Sequence, residues 1–219
     1  MQKLWSEVDD YLVRSLIPHD PLFDRILANN HAAGLPAHDV APNQGKFLQL
    51  LVQITGAKNI LEIGTLGAYS SVWMARALPA GGKLITLEAD PHHAEVAKKN
   101  IRLAGFEEVI ELLVGPAIDT LPRLADRAPF DVIFIDADKP SNPVYLEWAL
   151  QYSRSGTLII GDNVVRDGEV THPDSDDTRV QGVRSFIELL GENPRLTATA
   201  LQTVGSKGWD GFTLARVND

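Results

Sequence analysis

The segment FDVIFIDADK, residues 130–139, is a run of apolar and β-branched residues that stops abruptly on charged side chains. A second segment, GTLIIGDN at residues 156–163, has the same form. Continuous apolar runs are typical of parallel strands that helices cover on both faces. The carboxyl ends of such strands meet at one edge of a sheet, where open α/β folds bind their ligands. We therefore expect five polar side chains to converge there, as a hard-metal site with a base beside it: Asp136, Asp138, Lys139, Asp162 and Asn163.

Outward from these two segments, apolar strand-like runs alternate with helix-like segments, which predicts βαβ units and a parallel sheet. The predicted parallel strands are 58–63, 83–88, 109–114, 131–135 and 157–161. The predicted helices are 4–16, 21–30, 44–55, 68–78, 91–104, 117–124, 143–153 and 181–190. Two last strands, 196–204 and 211–217, are joined by the glycine-rich GSKGWDG and predict a hairpin. We expect one domain over residues 1–219, with a helical cap at 1–57 and an α/β core at 58–219.

Composition narrows the class of protein. A net charge of −9 argues against a nucleic-acid binder, which needs a basic face. The absence of cysteine excludes disulfides, thiolate catalysis and cysteine-ligated metal sites. No apolar run approaches the roughly 18 residues that span a bilayer. The N-terminal segment MQKLWSEVDDYLVRSL is too acidic and too amphipathic for a secretory signal. We expect a cytoplasmic protein without a membrane partner.

The first predicted strand runs into LEIGTLGAYSS, residues 61–71. Glycines at 64 and 67 allow a tight turn near a ligand, and Glu88, at the end of the next strand, can accept both hydroxyls of a ribose. NAD-binding folds share this geometry, but the G-x-G-x-x-G spacing is absent, because Gly64 is followed by Thr65 and Leu66. A sulfonium nucleoside needs no pyrophosphate loop, and Glu62 suits a cationic cofactor. An NAD-dependent oxidoreductase stays open as the alternative.

The chain resembles the cation-dependent class I O-methyltransferases, the group that contains the caffeoyl-CoA and catechol O-methyltransferases. The resemblance covers about residues 40–170, with a compatible tail. It departs from the family at Ala68, where glycine is usual, at Asn142, where tyrosine is common, and at Arg166, where tryptophan is common. The motifs that carry it are QGKFLQLL (44–51), LEIGTLGAYSS (61–71), Glu88, VGPA (114–117), FIDADK (134–139) and GDNVV (161–165).

This resemblance implies a Rossmann-like class I methyltransferase fold, with a seven-stranded, mostly parallel sheet, a C-terminal antiparallel hairpin and helices on both faces. It implies S-adenosylmethionine as cofactor and a homodimer. Lys139 matches the family's base, and Asp136 belongs to the catalytic pair with it. The matching metal ligands are Asp136, Asp162 and Asn163. The matching cofactor-binding positions are Val40, Glu62, Gly64, Thr65, Ser70, Glu88, Gly115, Ala117, Asp136 and Asp138.

The chemistry of methyl transfer to a phenol suits these residue types. The phenol is largely protonated near neutral pH, and a divalent cation that holds both oxygens of a vicinal diol acts as Lewis acid and template. Carboxylate and amide oxygens suit Mg²⁺, with Ca²⁺ or Mn²⁺ as alternatives, whereas zinc prefers nitrogen or sulfur. We therefore expect an O-methyltransferase that acts on a small catechol-like phenolic substrate. A non-catalytic protein that binds S-adenosylmethionine is the second alternative.

Overall fold

A seven-stranded sheet carries the fold, and the computed structural model describes all 219 residues. The spatial order of the strands is β3-β2-β1-β4-β5-β7-β6. The first five strands are parallel, and β7 runs antiparallel to both β5 and β6. The predicted fold class is thereby confirmed. The strands are β1 (Asn59–Ile63), β2 (Lys83–Glu88), β3 (Ile110–Val114), β4 (Phe130–Ile135), β5 (Ser153–Asp162), β6 (Leu196–Gly205) and β7 (Gly208–Val217).

Eight α-helices and three 3₁₀ turns connect and cover the strands. The helices are α1 (Gln2–Leu16), α2 (Pro21–Ala32), α3 (Pro42–Thr55), α4 (Tyr69–Ala75), α5 (Pro91–Ala104), α6 (Ala117–Thr120), α7 (Asn142–Gln151) and α8 (Thr178–Glu192). The 3₁₀ turns are Leu121–Leu124, Lys139–Ser141 and Arg166–Thr171. None of the helices combines the length and the apolarity that crossing a bilayer requires.

Alternate side chains of the buried strands enter two separate cores, one on each face of the sheet. Ile60, Val132 and Phe134 pack under α2, α3, α4 and α5. Ile133 and Ile135 belong to the opposite core, which α6, α7 and α8 cover. Because every side chain of β1 beyond Asn59 is buried, the strand shows no polar alternation, as the sequence indicated.

The division into a helical cap at 1–57 and an α/β core at 58–219 stays a prediction. The structure shows only that α2 and α3 contribute to the first hydrophobic core.

Among the element boundaries that differ from the sequence prediction, two have a clear cause in the backbone. The predicted helix 143–153 ends at Gln151 because Phe130 N donates a hydrogen bond of 2.9 Å to the Tyr152 carbonyl, which places Ser153 in β5. The polar residues that follow Ser153 concealed this start of the strand. The predicted helix at 68 begins one residue later, because Ala68 has φ +66° and is left-handed. That conformation accounts for the glycine that is usual at this position in the family.

The C-terminal hairpin is longer than predicted. Its strands extend through the glycine-rich segment until Gly205 pairs with Gly208, leaving a turn of only two residues. Trp209, which falls within the connection GSKGWDG predicted from the sequence, therefore belongs to β7 and not to the turn. Its indole Nε1 donates a hydrogen bond of 3.0 Å to Gln202 Oε1 on β6.

Gly64 allows the ends of β1 and β4 to approach each other. It has φ +101°, and a Cβ atom built there would lie 2.1 Å from the carbonyl oxygen of Asp136. We expect Gly64→Ala to lower the free energy of unfolding by about 3 kcal/mol or more, because backbone strain and a backbone clash add together. Urea denaturation measures this loss.

Gly81→Ala is the matched control for Gly64→Ala. Gly81 also has a positive φ, of +80°, but nothing lies within 4 Å of its Cβ position. We expect it to lose only about 1–2 kcal/mol, the cost of a left-handed residue. Equal losses in the free energy of unfolding of the two variants would show that the close approach of the Asp136 carbonyl to position 64 adds nothing to the destabilisation.

Candidate active site at the carboxyl edge of the sheet

Asp136 and Asp162 leave neighbouring strands at the same edge of the sheet. Ile135 is paired with Gly161 in the β4–β5 ladder, so the residue that follows each of them lies at the carboxyl edge. Lys139 begins the next 3₁₀ turn, and its Nζ donates a hydrogen bond of 2.9 Å to Asp136 Oδ1. Lys139 is only 7% exposed and Asp162 only 5%. The structure therefore brings together, in a largely buried position, three of the side chains that the sequence placed here.

Asp162 lies in an environment that disfavours its negative charge. Burial raises its pKa to about 7, and the nearby carboxylate of Asp136 adds to the effect, while Lys139 opposes it. Two hydrogen bonds reach the carboxylate, from the Asn163 backbone to Oδ1 at 2.9 Å and from Gln44 Nε2 to Oδ2 at 2.8 Å. One lysine does not fully compensate two adjacent carboxylates, so the site is electrostatically suited to a cation.

Asn163 directly follows Asp162 at the carboxyl end of β5 and is the third metal ligand that the sequence predicts. It has φ +55°, a left-handed conformation that asparagine tolerates better than most residues. Nowhere does the structure gather three or more His, Cys, Asp or Glu side chains in a metal-binding arrangement. A metal at this edge would depend on the amide of Asn163 as well as on two carboxylates. Such a set fits a hard cation such as Mg²⁺.

Glu62 lies beneath the loop that follows β1 and is completely buried. Ser70 Oγ and Thr86 Oγ1 donate to its carboxylate at 2.6 and 2.7 Å, and Ser71 Oγ makes a third hydrogen bond. Burial raises the pKa of Glu62 to about 7, although these three hydroxyls favour its charged form. The hydrogen bond to Glu62 therefore holds the Ser70 side chain in place. Ser70 is partly exposed, whereas Glu62, Ser71 and Thr86 are buried.

Glu88 joins the end of β2 to the loop that follows β1. Its Oε2 accepts hydrogen bonds from Leu66 N at 2.7 Å and from Thr65 N at 3.2 Å, and its Oε1 accepts one from Asp90 N at 3.0 Å. His93 Nδ1 lies 3.5 Å from Oε1. Glu88 is thus held in a fixed position at the carboxyl edge.

The remaining predicted positions border this edge. Gly115 has φ +137°, and its N donates a hydrogen bond of 2.8 Å to the Glu88 carbonyl. Ala117, which begins α6, and Val40, which precedes α3, are both buried. Asp138 is exposed and accepts a hydrogen bond from the Tyr145 hydroxyl. Burial and the Asp138 carboxylate together hold the pKa of Tyr145 well above its usual range.

A family model with the description O-methyltransferase matches residues 20–218. The chain belongs to the O-methyltransferase family. This membership confirms the resemblance and the class of enzyme, and it decides against the NAD-dependent oxidoreductase.

This O-methyltransferase has close relatives that match it over almost the entire chain. A catechol O-methyltransferase from Niastella koreensis is 52% identical, and the match covers 98% of each chain. A catechol O-methyltransferase from Mycobacterium tuberculosis is 48% identical and covers 96% of this chain and 95% of its own. The crystal structure of an O-methyltransferase from Bacillus cereus in complex with S-adenosylhomocysteine (SAH) is 57% identical, with a TM-score of 0.98 and complete coverage of both chains. The relatives and the fold agree in placing the enzyme among the class I methyltransferases.

Several residues of this O-methyltransferase site were not found by reading the sequence. Gln44 lies in the QGKFLQLL motif, and nothing in that motif predicts its contact with Asp162, 118 residues away along the chain. Thr86 and Ser71 complete the hydroxyl set around Glu62, and Tyr145 binds Asp138. The periodicity of the sequence could not predict these hydrogen bonds, because each joins residues from two different parts of the fold.

Arg166 begins the 3₁₀ turn that follows Asp162 and Asn163. It has φ +56°, and its backbone N donates a hydrogen bond of 3.1 Å to Asp210 Oδ1 on β7. Val165 N and Gly211 N donate to the same oxygen, each at 2.9 Å. The Nε atom of Arg166 is buried without a hydrogen-bond partner. In this O-methyltransferase the turn is therefore attached to β7.

Proposed function

We propose that this enzyme transfers the methyl group of S-adenosylmethionine to one hydroxyl of a catechol-like vicinal diphenol, with the assistance of a divalent cation. One observation carries the proposal: the buried carboxylate of Asp162 and the partly buried carboxylate of Asp136 share an edge of the sheet with Lys139 and with the glycine loop that follows Glu62. The two catechol O-methyltransferase relatives and the SAH complex of the Bacillus cereus relative support the same assignment.

S-adenosylmethionine would bind across the ends of β1, β2 and β4. Glu88 would accept hydrogen bonds from the ribose hydroxyls, Gly115 and Ala117 would border the adenine, and Asp138 would lie near the methionine part. The carboxylates at this edge, including Asp136 and the buried Glu62, suit a ligand that carries positive charge on its sulfonium and ammonium groups. The other proposed contacts are Val40, Gly64, Thr65 and Ser70.

Asp136, Asp162 and Asn163 would hold the divalent cation. When bound, it supplies Lewis acidity and a template for the two acceptor oxygens. Mg²⁺ is the proposed ion, because it prefers oxygen ligands and keeps several positions for water or substrate, and Ca²⁺ or Mn²⁺ fit the same donor set.

Lys139 would act as the base. In its uncharged form, Nζ takes the proton of the attacking hydroxyl, the oxygen forms a bond to the methyl carbon, and the carbon–sulfur bond breaks to give a neutral thioether. The burial of Lys139 and its hydrogen bond to Asp136 fix Nζ beside the proposed cation position. Correct placement of donor, acceptor and base can contribute several kcal/mol to the lowering of the barrier.

We also propose a homodimer. Helix α1 exposes a row of apolar side chains at helical spacing, and strand β6 is exposed along almost its entire length. An exposed apolar face together with an open strand edge is typical of an interface. The apolar row consists of Leu4, Val8, Tyr11, Leu12 and Leu16.

Incubation with S-adenosylmethionine and a panel of diphenols tests the function. We expect a monomethylated product from vicinal diphenols, a loss of at least about 10²-fold in rate with EDTA, and recovery after excess Mg²⁺ is added, since the cation supplies Lewis acidity. Diphenols with separated hydroxyls, such as resorcinol, are the matched control and should react far more slowly. A rate that EDTA leaves unchanged would contradict the metal assignment alone. Binding of the cofactor without turnover of any diphenol would contradict the proposed class of acceptor.

A further inference from the structure

Gln44 contacts the proposed metal ligand Asp162 from a distant part of the chain. Its Nε2 donates a hydrogen bond of 2.8 Å to Asp162 Oδ2, and no other side chain donates to this carboxylate. A carboxylate oxygen accepts about two hydrogen bonds or ligands, so each oxygen of Asp162 keeps a position for a cation. Gln44 therefore constrains the orientation of the carboxylate without blocking it.

Gln44 is itself attached to a continuous series of hydrogen bonds. Gln44 N donates to Asn43 Oδ1 at 3.0 Å, and Asn43 Nδ2 donates to Asp9 Oδ1 at 2.9 Å. Asp9, on α1, is only 8% exposed, and its Oδ2 accepts a hydrogen bond of 2.7 Å from Ser206 N in the turn of the hairpin. A Cβ atom at Gly205 would lie 2.3 Å from Asp9 Oδ2, so the turn packs closely on this carboxylate. The series connects α1 and the hairpin turn to the carboxyl edge of β5.

We propose that Gln44 is a positioning residue, which holds the carboxylate of Asp162 in the orientation that binds the divalent cation, with Asn43 and Asp9 as its support. The proposal rests on the metal assignment made under the proposed function. Without the amide, the carboxylate is free to turn toward Lys139, the cation that already attracts it electrostatically. An ion pair with Lys139 would compete with the metal for Asp162. Hydrogen bonds to ligating carboxylates commonly change metal affinity by about 10- to 100-fold.

Titration of the full chain with Mn²⁺, followed by electron paramagnetic resonance of the free ion, tests the proposal. The protein is saturated with SAH throughout. Gln44→Met keeps the length of the side chain but removes the donor, and we expect it to raise the Kd for Mn²⁺ by about 10- to 100-fold. Gln53→Met makes the same change at an exposed position of α3 and should leave the Kd unchanged. The affinity for SAH should stay within twofold in all three proteins.

The outcomes separate this proposal from the proposed function. Wild-type protein that binds no Mn²⁺ would overturn both the metal assignment and the role of Gln44. Wild type that binds Mn²⁺ with the same Kd as Gln44→Met would overturn the role of Gln44 alone. If Gln44→Met does not fold, Asn43→Ala replaces it in the test, because this variant removes the acceptor of the Gln44 N hydrogen bond. A Kd for Mn²⁺ raised about two- to fivefold would support the proposal. An unchanged Kd would overturn it.

Discussion

Lys139→Met should lower kcat for methyl transfer by about 10²- to 10⁴-fold, the range that a general base contributes. Methionine fills a similar volume but cannot take a proton, so the acceptor hydroxyl would lose its partner. The KM for S-adenosylmethionine should change little, because Lys139 contacts Asp136 and not the loop that Glu88 supports. Steady-state kinetics with a vicinal diphenol and a binding titration with SAH measure the two effects separately.

Lys99→Met is the matched control, since Lys99 is an exposed lysine on α5. It should retain the activity of the wild type. A Lys139→Met enzyme with nearly normal kcat would show that the proton leaves by another route. It would remove Lys139 from the mechanism without contradicting the proposed cofactor and metal sites.

Asp162→Asn should have opposite effects on activity and on stability. We expect the rate of methyl transfer to fall by at least about 10²-fold, since even the indirect partners of metal ligands contribute about 10- to 100-fold to affinity or activity. The free energy of unfolding of the metal-free protein should rise at pH 8, because the substitution removes a buried charge that burial and Asp136 both disfavour. Kinetics with added Mg²⁺ and urea denaturation in EDTA measure the two effects.

The stability effect has a defined dependence on pH. The pKa of Asp162 rises from 3.8 to about 7 on folding, so the folded protein holds a proton that the unfolded chain releases. The carboxyl group therefore stabilises the fold fully only below about pH 4, and this stability is lost as the pH rises toward 7. The loss is of the order of a few kcal/mol, or several degrees in Tm. The buried Glu62 titrates in the same direction and should leave part of the pH dependence in the variant.

Asp174→Asn, an exposed aspartate in the loop before α8, is the control for Asp162→Asn. It should leave both the rate and the pH dependence of stability unchanged. An Asp162→Asn protein no more stable than the wild type at pH 8 would show that the carboxylate is compensated in the metal-free state. An unchanged rate would argue against Asp162 as a metal ligand.

The sequence was sufficient to predict the sheet and the convergence of Asp136 and Asp162, because the carboxyl ends of neighbouring parallel strands lie at the same edge. It also identified Lys139, which is near Asp136 along the chain. It could not predict Gln44, since nothing local in α3 indicates which strand end the helix will face. The left-handed Ala68 was equally hidden, because local propensity favours a helical alanine and the tertiary structure overrides it here.

The attachment of the Arg166–Thr171 turn has a consequence for how such enzymes diversify. A single oxygen of Asp210 gathers the amides of Val165, Arg166 and Gly211, so the turn is anchored to the antiparallel part of the sheet. Glu62 and Glu88 lie on parallel strands and Gly115 directly follows a third, and all three strands are at least three positions away from β7 in the strand order. We therefore expect insertions and exchanges between residues 166 and 178 to leave the proposed methyl-donor positions on β1 and β2 undisturbed.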